Sequence, residues 1–557
     1  MTDVRRFLSE LPVWVWLAVL VLLPNILLVA TSLQPSQSLG LSFDLTLANY
    51  ERALGSWGFI KLLGRTLWTA ALATTVAALI AYPAAYYAAR VLAKGRFFAL
   101  ILIIVPLWIS LLMRIFAWRM ILGEKGILNS TLLSMGLIDK PISALLYSTF
   151  SVFLTFVYLC VPFIFIAVYA AIERIPQSLI EASLDCGASR ARVFRTVIWP
   201  LSRPGTAIGL ALAFLMAVGD YITPSMVGGM DGTMLGVVVA SQFGIAGDWP
   251  YGATLATILL VCVAALLGLM FRLFRVPGIL TGESAGGPTA TAISPRKASR
   301  LRSGLGFAAF CLPYVFLYLP LVVIGLFAFN DSNLQAFPLT GFTLKWFGAI
   351  VQDAGLMAAL KRSLMVGTLV VAISVIAGTG FALAFAYGRL NRMRWVEQLV
   401  ALPVAVPGIV LAITLVLVFQ LLGLPVGIPR VVLGHASFVM PVVMLTVINR
   451  LRRLDPALVE ASLDLGASRL RTFVSVLLPL IGGALLGGAL LGFTLSFDEV
   501  VVTQFLTGPE PTLPVWVWNQ MRFGFTPSVN AIFVCIGALS IGLIVVARRL
   551  IMDGKEA

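Results

Sequence analysis

Residues 181–201 read EASLDCGASRARVFRTVIWPL, and residues 460–480 read EASLDLGASRLRTFVSVLLPL. The two stretches lie 279 residues apart in a chain of 557, and 14 of their 21 positions are identical. Each is polar and charged, yet apolar runs flank both. Unconstrained loops do not keep internal identity of this kind, so the pair marks a duplicated unit.

The local chemistry predicts helix–turn–helix. Ser178 and Glu181 fit a capping box at the first copy's start. In the second copy Asp455 can cap a helix with Pro456 at its first position. Gly187 and Gly466 sit where that helix should stop and φ turns positive. Ser189 and Ser468 are placed to cap the next short helix. Pro200 and Pro479 are expected to end it before the following membrane span.

Composition sets the compartment. Sixty per cent of residues are hydrophobic, and the mean hydropathy is +1.00, which soluble chains do not reach. Only 11% are charged, and they cluster between apolar runs. The reading is an all-α integral membrane protein with about twelve spans of roughly twenty residues. The expected spans are 12–31, 65–89, 98–122, 146–171, 205–222 and 251–271, then 305–328, 362–387, 396–421, 431–449, 482–500 and 529–547. Arg5 and Arg6 precede the first apolar run. That run lacks a small-residue cleavage site and is long enough to span, so it reads as a helix rather than a signal peptide.

The net charge of +15 invites a nucleic-acid reading, but topology accounts for it. With the N-terminus inside, cytoplasmic segments hold 27 of the 39 Lys and Arg, outer segments 10, and the third span two, Arg114 and Arg119. Basic residues accumulate on the cytoplasmic side, so both repeated loops and both termini are expected there. Residues 276–304 are rich in Gly, Ser, Thr and Pro and read as a cytoplasmic linker. It joins a first domain, 1–275, to a second, 305–557, with the repeated loops at 173–204 and 450–481. The sixth span ends inside and the seventh starts inside, so the two six-helix halves are parallel repeats. After the first span of each half, Trp57 and Phe59, and Trp346 and Phe347, stand in amphipathic stretches suited to the membrane interface.

The repeated pattern is Glu-Ala-Ser, three residues, Gly, nine residues, a β-branched residue, one residue and a hydrophobic–Pro pair. It resembles the EAA loop of ABC importer permeases. Trp199 replaces the usual leucine before proline in the first copy, and Ser183 and Ser462 stand where the family has alanine. The stretches 106–137 and 219–229 look like the spermidine/putrescine permease family, and 495–508 and 513–531 like the partner permease of the same system. The resemblance implies a type I importer fold with two permeases fused in one chain in the cell inner membrane. It implies a cytoplasmic ABC ATPase dimer docked on the two loops, through Glu181, Ala182, Gly187 and Arg190 and through Glu460, Ala461, Gly466 and Arg469. It further implies a periplasmic or lipid-anchored binding protein that delivers the solute. ATP and magnesium would be bound by the partner subunit. Consistent with that division, the chain contains no GxxxxGK[ST] loop, no HExxH and no Ser/His/Asp arrangement. Its five cysteines are scattered and suggest neither disulfides nor a metal site. His435, the only histidine, reads as packed or hydrogen-bonded.

Ionisable residues inside spans are costly and mark function by default. Asp220 ends the fifth span, and Asp498 and Glu499 end the eleventh. The 279-residue offset maps Asp220 onto Glu499, which predicts that they face each other near the outer mouth. With Tyr221, Trp108 and Trp118 they form a candidate path for a cation, held by ion pairing and by ring quadrupoles. Plainer roles stand beside this: Asp498 caps structure, the tryptophans pack against neighbours, and the acids offset Arg114, which is a structural partner for one of them. A permease for ferric ion, a phosphonate or an amino-acid derivative remains the alternative. An ion-coupled secondary transporter is a further one, but it gives no reason for duplicated polar loops.

Overall fold

The computed structural model describes residues 2–36, 44–92, 95–275, 304–333, 337–388, 390, 393–523, 527–538 and 542. Among them every regular element is helical, and the one extended pairing is an isolated bridge between Asn330 and Phe342. Nine helices among the described residues are long and apolar enough to cross a membrane. They are α1 (Glu10–Ser32), α2 (Trp57–Arg90), α3 (Thr149–Glu173), α4 (Arg190–Gly219), α5 (Trp249–Leu273), α6 (Gly306–Ala328), α7 (Ala354–Tyr387), α8 (Ile428–Leu451) and α9 (Arg469–Phe497). Two bent pairs raise the number to eleven if each is one span. Of the expected twelfth span, only Ser528–Ala538 is described as a helix, and the linker 276–304 lies outside the described residues but for Gly304.

The third and ninth spans depart from expectation. Each is broken: Phe98–Leu107 turns by 86° into the next arm at Leu111, and Trp395–Val404 turns by 101° into Gly408–Leu421. The break has one backbone form in both places. Ile109 and Ser110 are extended, with ψ 131 and 135, and Val406 and Pro407 likewise, with ψ 136 and 134. Pro407 excludes the helical region for Val406, because its ring meets the preceding residue. In the first half Pro106 sits in a single tight turn, Val105–Trp108, that closes the first arm. Proline there supplies no amide to continue the ladder.

A second repeat accompanies the first at a different offset. Helices α2 and α7 are both 34 residues long, and their buried faces coincide at a shift of 297. Thr66, Ala70, Ala73, Ala77, Ala81, Ala84 and Ala88 match Ser363, Gly367, Val370, Ser374, Gly378, Phe381 and Phe385. The spacing repeats every eleven residues, about 3.7 per turn, so the stripe stays on one face of the helix. The difference between 297 and 279 leaves the first half 18 residues longer between these elements. That stretch includes the short helix Ile127–Ser134, pinned by the buried Asn129 to the backbone of Gly123 and Ile142.

The chain packs as two compact units that do not follow its linear order. One gathers Met1–Asn49, Asp248–Thr257 and Gly355–Asn519; the other gathers Tyr50–Gly247, Ile258–Ala354 and Gln520–Ala557. The first span of each half thus belongs to the unit built mainly from the other half. In the first unit Val13, Leu17, Val21 and Leu27 of α1 enter a core with Leu415, Val418 and Val443. Trp16 meets Phe381 edge-on at 6.1 Å. In the second, Phe310 of α6 stacks on Tyr87 at 5.0 Å, and the Tyr158 hydroxyl donates to the Leu317 carbonyl at 3.2 Å. A helix apolar all round buries one face on protein and leaves the rest to lipid.

The interfacial stretches are more tethered than expected. Trp57 is 76% exposed, as an anchor would be, but Phe59 is buried. Trp346 donates its indole hydrogen to the Asn330 carbonyl at 2.7 Å, and Phe347 packs on Phe329.

Candidate functional site

The two repeated loops fold alike. The first runs from α3 through a helix, Gln177–Asp185, to the start of α4; the second runs from α8 through Ala457–Asp464 to α9. Both turns are closed by glycine in the left-handed region, Gly187 at φ 80 and Gly466 at φ 83. The amide of Ala188 bonds the Ser183 carbonyl at 3.1 Å, and Ala467 bonds Ser462 at 3.1 Å. These are the six-to-one bonds that stop a helix and satisfy its last carbonyls. Nothing lies within 4 Å of where a Cβ would sit on either glycine, so the demand for glycine is purely conformational. Ser189 and Ser468 cap the next turn as expected, accepting from Arg192 and Arg471 at 3.3 Å. Asp455 accepts from Ala457 at 3.0 Å ahead of the second helix.

Two expectations fail here. Ser178 and Glu181 form no capping box, because the helix starts two residues earlier than that box requires, at Gln177, after the extended Pro176. Glu181 instead accepts from the Gln177 side chain at 3.1 Å. Nor do Pro200 and Pro479 end their helices. Each lies just after a single wide π turn, Phe194–Ile198 or Phe473–Leu477, and the helix continues into the membrane span. The extra residue in the turn shifts the ladder so that a missing proline amide is absorbed rather than left as a break.

Glu181, Ala182, Gly187 and Arg190 are exposed, and so are Glu460, Ala461, Gly466 and Arg469. Each loop also presents two leucines at matching places: Leu179 and Leu184 at 47% and 41% exposure, Leu458 and Leu463 at 46% and 41%. Exposed leucines ringed by charge are suited to docking against a partner.

The loops are anchored differently. In the first, Arg90 at the C-terminal end of α2 donates to the carbonyls of Ile172 and Ile175 at 2.5 and 2.6 Å and reaches Gln177 Oε1 at 3.4 Å. Tyr82 and Tyr86 close on Phe194 of the π turn at 6.0 and 6.2 Å, and Tyr82 also meets Trp199 at 5.6 Å. In the second, the Ser462 and Thr472 hydroxyls bond at 3.0 Å; Val193 stands at the latter's place in the first loop. Arg450 donates to the Leu480 carbonyl at 3.0 Å, and Arg452 forms a bidentate pair with Glu397 at 2.6 and 3.0 Å.

The acids at the span ends cap their own segments. Asp220 accepts from the amides of Ile222 and Thr223 at 2.7 and 3.1 Å and from the Thr223 hydroxyl. These partners are on its own segment. Glu499 accepts from the Val502 amide at 2.8 Å, at the start of the helix Val501–Leu506. His435 is fully buried and bridges this segment: its ring nitrogens lie 2.8 Å from the Ser496 and Thr503 hydroxyls. Asp498 is half-buried at the end of α9. Tyr221, Arg114 and Trp118 are buried. Trp118 sits between Tyr158 and Phe316, and its indole nitrogen has no hydrogen-bond partner among the described residues. The Trp108 side chain lies outside the described residues. Among the described residues no three His, Cys, Asp or Glu come together to hold a metal.

Sequence reasoning missed a pair of clamps beyond the acids. Arg65 of α2 donates to the carbonyl of Asp231 at 2.6 Å and to that of Thr233, while Thr66 accepts from the Leu235 amide at 2.9 Å. In α7, Arg362 donates to the Pro511 carbonyl at 2.7 Å, and Ser363 accepts from the Leu513 amide at 2.8 Å. Each clamp holds the turn after the acid-capped segment and starts the next helix. The available signal was Arg-Thr and Arg-Ser at the same position of two 34-residue helices.

The family described as binding-protein-dependent transport system inner membrane component matches residues 81–276 and 374–552, so the domain is present twice. The spermidine/putrescine transport system permease protein PotB of Haemophilus influenzae is 34% identical over 258 residues, 46% of this chain and 90% of that protein. PotB of Escherichia coli is 34% identical over 262 residues, 47% of this chain and 94% of that protein. The spermidine/putrescine permease protein PotC of E. coli is 32% identical over 241 residues, 43% of this chain and 91% of that protein. Each relative therefore corresponds to about half of this chain. With two matched domains, a multi-pass helical fold and twin loops of one geometry, the chain belongs to the family of inner membrane components of binding-protein-dependent transport systems.

Proposed function

We propose that this chain is the complete membrane path of an ATP-driven polyamine importer, with the work of two permeases in one polypeptide. The observation that carries the reading is that one chain resembles both PotB and PotC, named as permeases of spermidine/putrescine transport, and holds the family domain twice. The family implies an ATPase and a binding protein as partners. The two loops, exposed and alike in turn and leucine placement, are the surfaces on which two ATPase copies dock. ATP is hydrolysed in those ATPase copies, and a binding protein delivers solute at the other side. The bias of Lys and Arg toward one set of segments supports cytoplasmic loops and termini.

The acidic ends of the fifth and eleventh spans serve the cation path. Asp220 and Glu499 each spend one oxygen or more on a helix start, which fixes a carboxyl group at the end of each span. A passage should hold its solute weakly, since a deep well slows release. Uptake of labelled spermidine and putrescine by cells carrying the full system tests the substrate. Saturable uptake of both, not displaced by phosphonate or ferric citrate, is expected. Uptake of an anion alone contradicts the polyamine assignment and leaves the family membership standing.

A further inference from the structure

Helix α2 is fastened at both ends to the parts the transport reading makes important. At its inner end the Arg90 guanidinium holds the last carbonyls of α3 and touches Gln177, which in turn donates to Glu181 in the first repeated loop. Near its outer end Arg65 and Thr66 hold the turn and helix start that follow the Asp220 segment. The two arginines are roughly 38 Å apart along the helix axis at 1.5 Å per residue. Between them runs the stripe of alanines that lets α2 lie close against α3 and α4. Small residues allow such close approach and leave little side-chain freedom to absorb a displacement. Helix α7 shares the length, the stripe and the outer clamp, through Arg362 and Ser363. Among the described residues it shows no matching inner fastening: Tyr387 stands at the position of Arg90 and is 48% exposed.

We propose that α2 is a transmission rod from the first repeated loop to the outer segment bearing Asp220, with Arg90 and Arg65 as its positioning residues. This rests on the reading of the loop as the ATPase dock. Arginine suits both ends because its planar fork holds two or three carbonyls in fixed directions, which a lysine ammonium does not. The inner contact also sits at the carboxyl end of α3, where a cation is favoured. Displacement of the loop by the ATPase then moves α2 as a body, and the outer turn follows.

The test uses the full complex of this chain, its ATPase and its binding protein in proteoliposomes, with spermidine as probe. The readout is spermidine imported per ATP hydrolysed, together with ATPase retained on the membrane. Arg90→Ala keeps the ATPase bound and hydrolysing, and import per ATP falls about tenfold, within the range for residues that carry coupling. Arg90→Lys recovers part of the loss. Arg65→Ala, at the other end, shows the same uncoupling and serves if Arg90→Ala does not insert. Tyr387→Ala leaves the ratio unchanged. An unchanged ratio in Arg65→Ala or in an inserted Arg90→Ala overturns the proposal, and so does a loss of the same size in Tyr387→Ala. If the unaltered complex hydrolyses ATP yet imports no spermidine, the substrate reading fails instead, and the rod is tested with the solute that is imported.

Discussion

The two repeated loops share a turn and differ in what holds it. Gly187 and Gly466 take nearly the same φ, and the serine caps after them have the same length. Behind the turn the first loop leans on aromatic rings and on Arg90, whereas the second is tied by a hydroxyl pair and by Arg452 to Glu397. On the proposed function a partner must find the turn in both halves, which accounts for its repeated geometry. The anchor is private to each half and is free to differ. The 14 shared positions report the first kind of constraint and are silent on the second.

The largest effect is expected from breaking the shared part. Gly187→Pro or Gly466→Pro forces φ near −65° where +80 or +83 is needed. ATP-driven uptake should fall to background while membrane insertion persists, read by uptake and by protein in the membrane fraction. Gly187→Ala meets no atom, so it costs only the left-handed penalty of about 1 kcal/mol and should keep much of the activity. Full substrate-stimulated hydrolysis in both proline variants would refute the shared role.

Next come the acids. Asn and Gln retain an oxygen that accepts the capping amide, so Asp220→Asn and Glu499→Gln remove charge and leave the cap. Each should lower spermidine uptake about tenfold, equivalent to about 1.4 kcal/mol, and the pair more, with ATPase binding unchanged. Wild-type uptake in both variants removes the acids from the path.

Smaller effects sharpen the contrast between anchors. Trp199→Leu installs the second loop's residue and removes ring contacts to Tyr82 and Phe274, a loss of about 1 kcal/mol in thermal unfolding. Smallest is Thr472→Val, which gives the second loop the first one's residue. It deletes one part-buried hydrogen bond worth about 0.5 kcal/mol, with at most a slight change in uptake. If Thr472→Val and Trp199→Leu are equally harmless, the private anchors are not distinct in strength.

Much of this was legible in the residues. Membrane class, span positions, the turn glycines and the serine caps follow from apolar runs and from residues whose backbone needs are specific. The breaks at Ile109–Ser110 and Val406–Pro407 were hidden, because an apolar run reads the same straight or bent. The π turns before Pro200 and Pro479 were misread as stops, since a proline rule cannot see one residue of slack upstream. The equivalence of α2 and α7 escaped because alanines in one answer valine and phenylalanine in the other, and only the spacing is kept. The caps were only partly foreseen: capping was weighed for Asp498, whereas Asp220 and Glu499 accept the capping amides, because each stands two or three residues ahead of a short helix that composition alone does not mark. The exchange of first spans between units had no signal, because α1 and α6 are apolar on every side.

The central claim is that this chain moves its solute only when an ATPase works its two loops. The direct measurement is spermidine uptake into proteoliposomes holding the chain, with ATPase and ATP inside and binding protein outside, each omitted in turn. The account predicts uptake only when all are present, and none from a proton or sodium gradient alone. Robust gradient-driven uptake without ATP contradicts it.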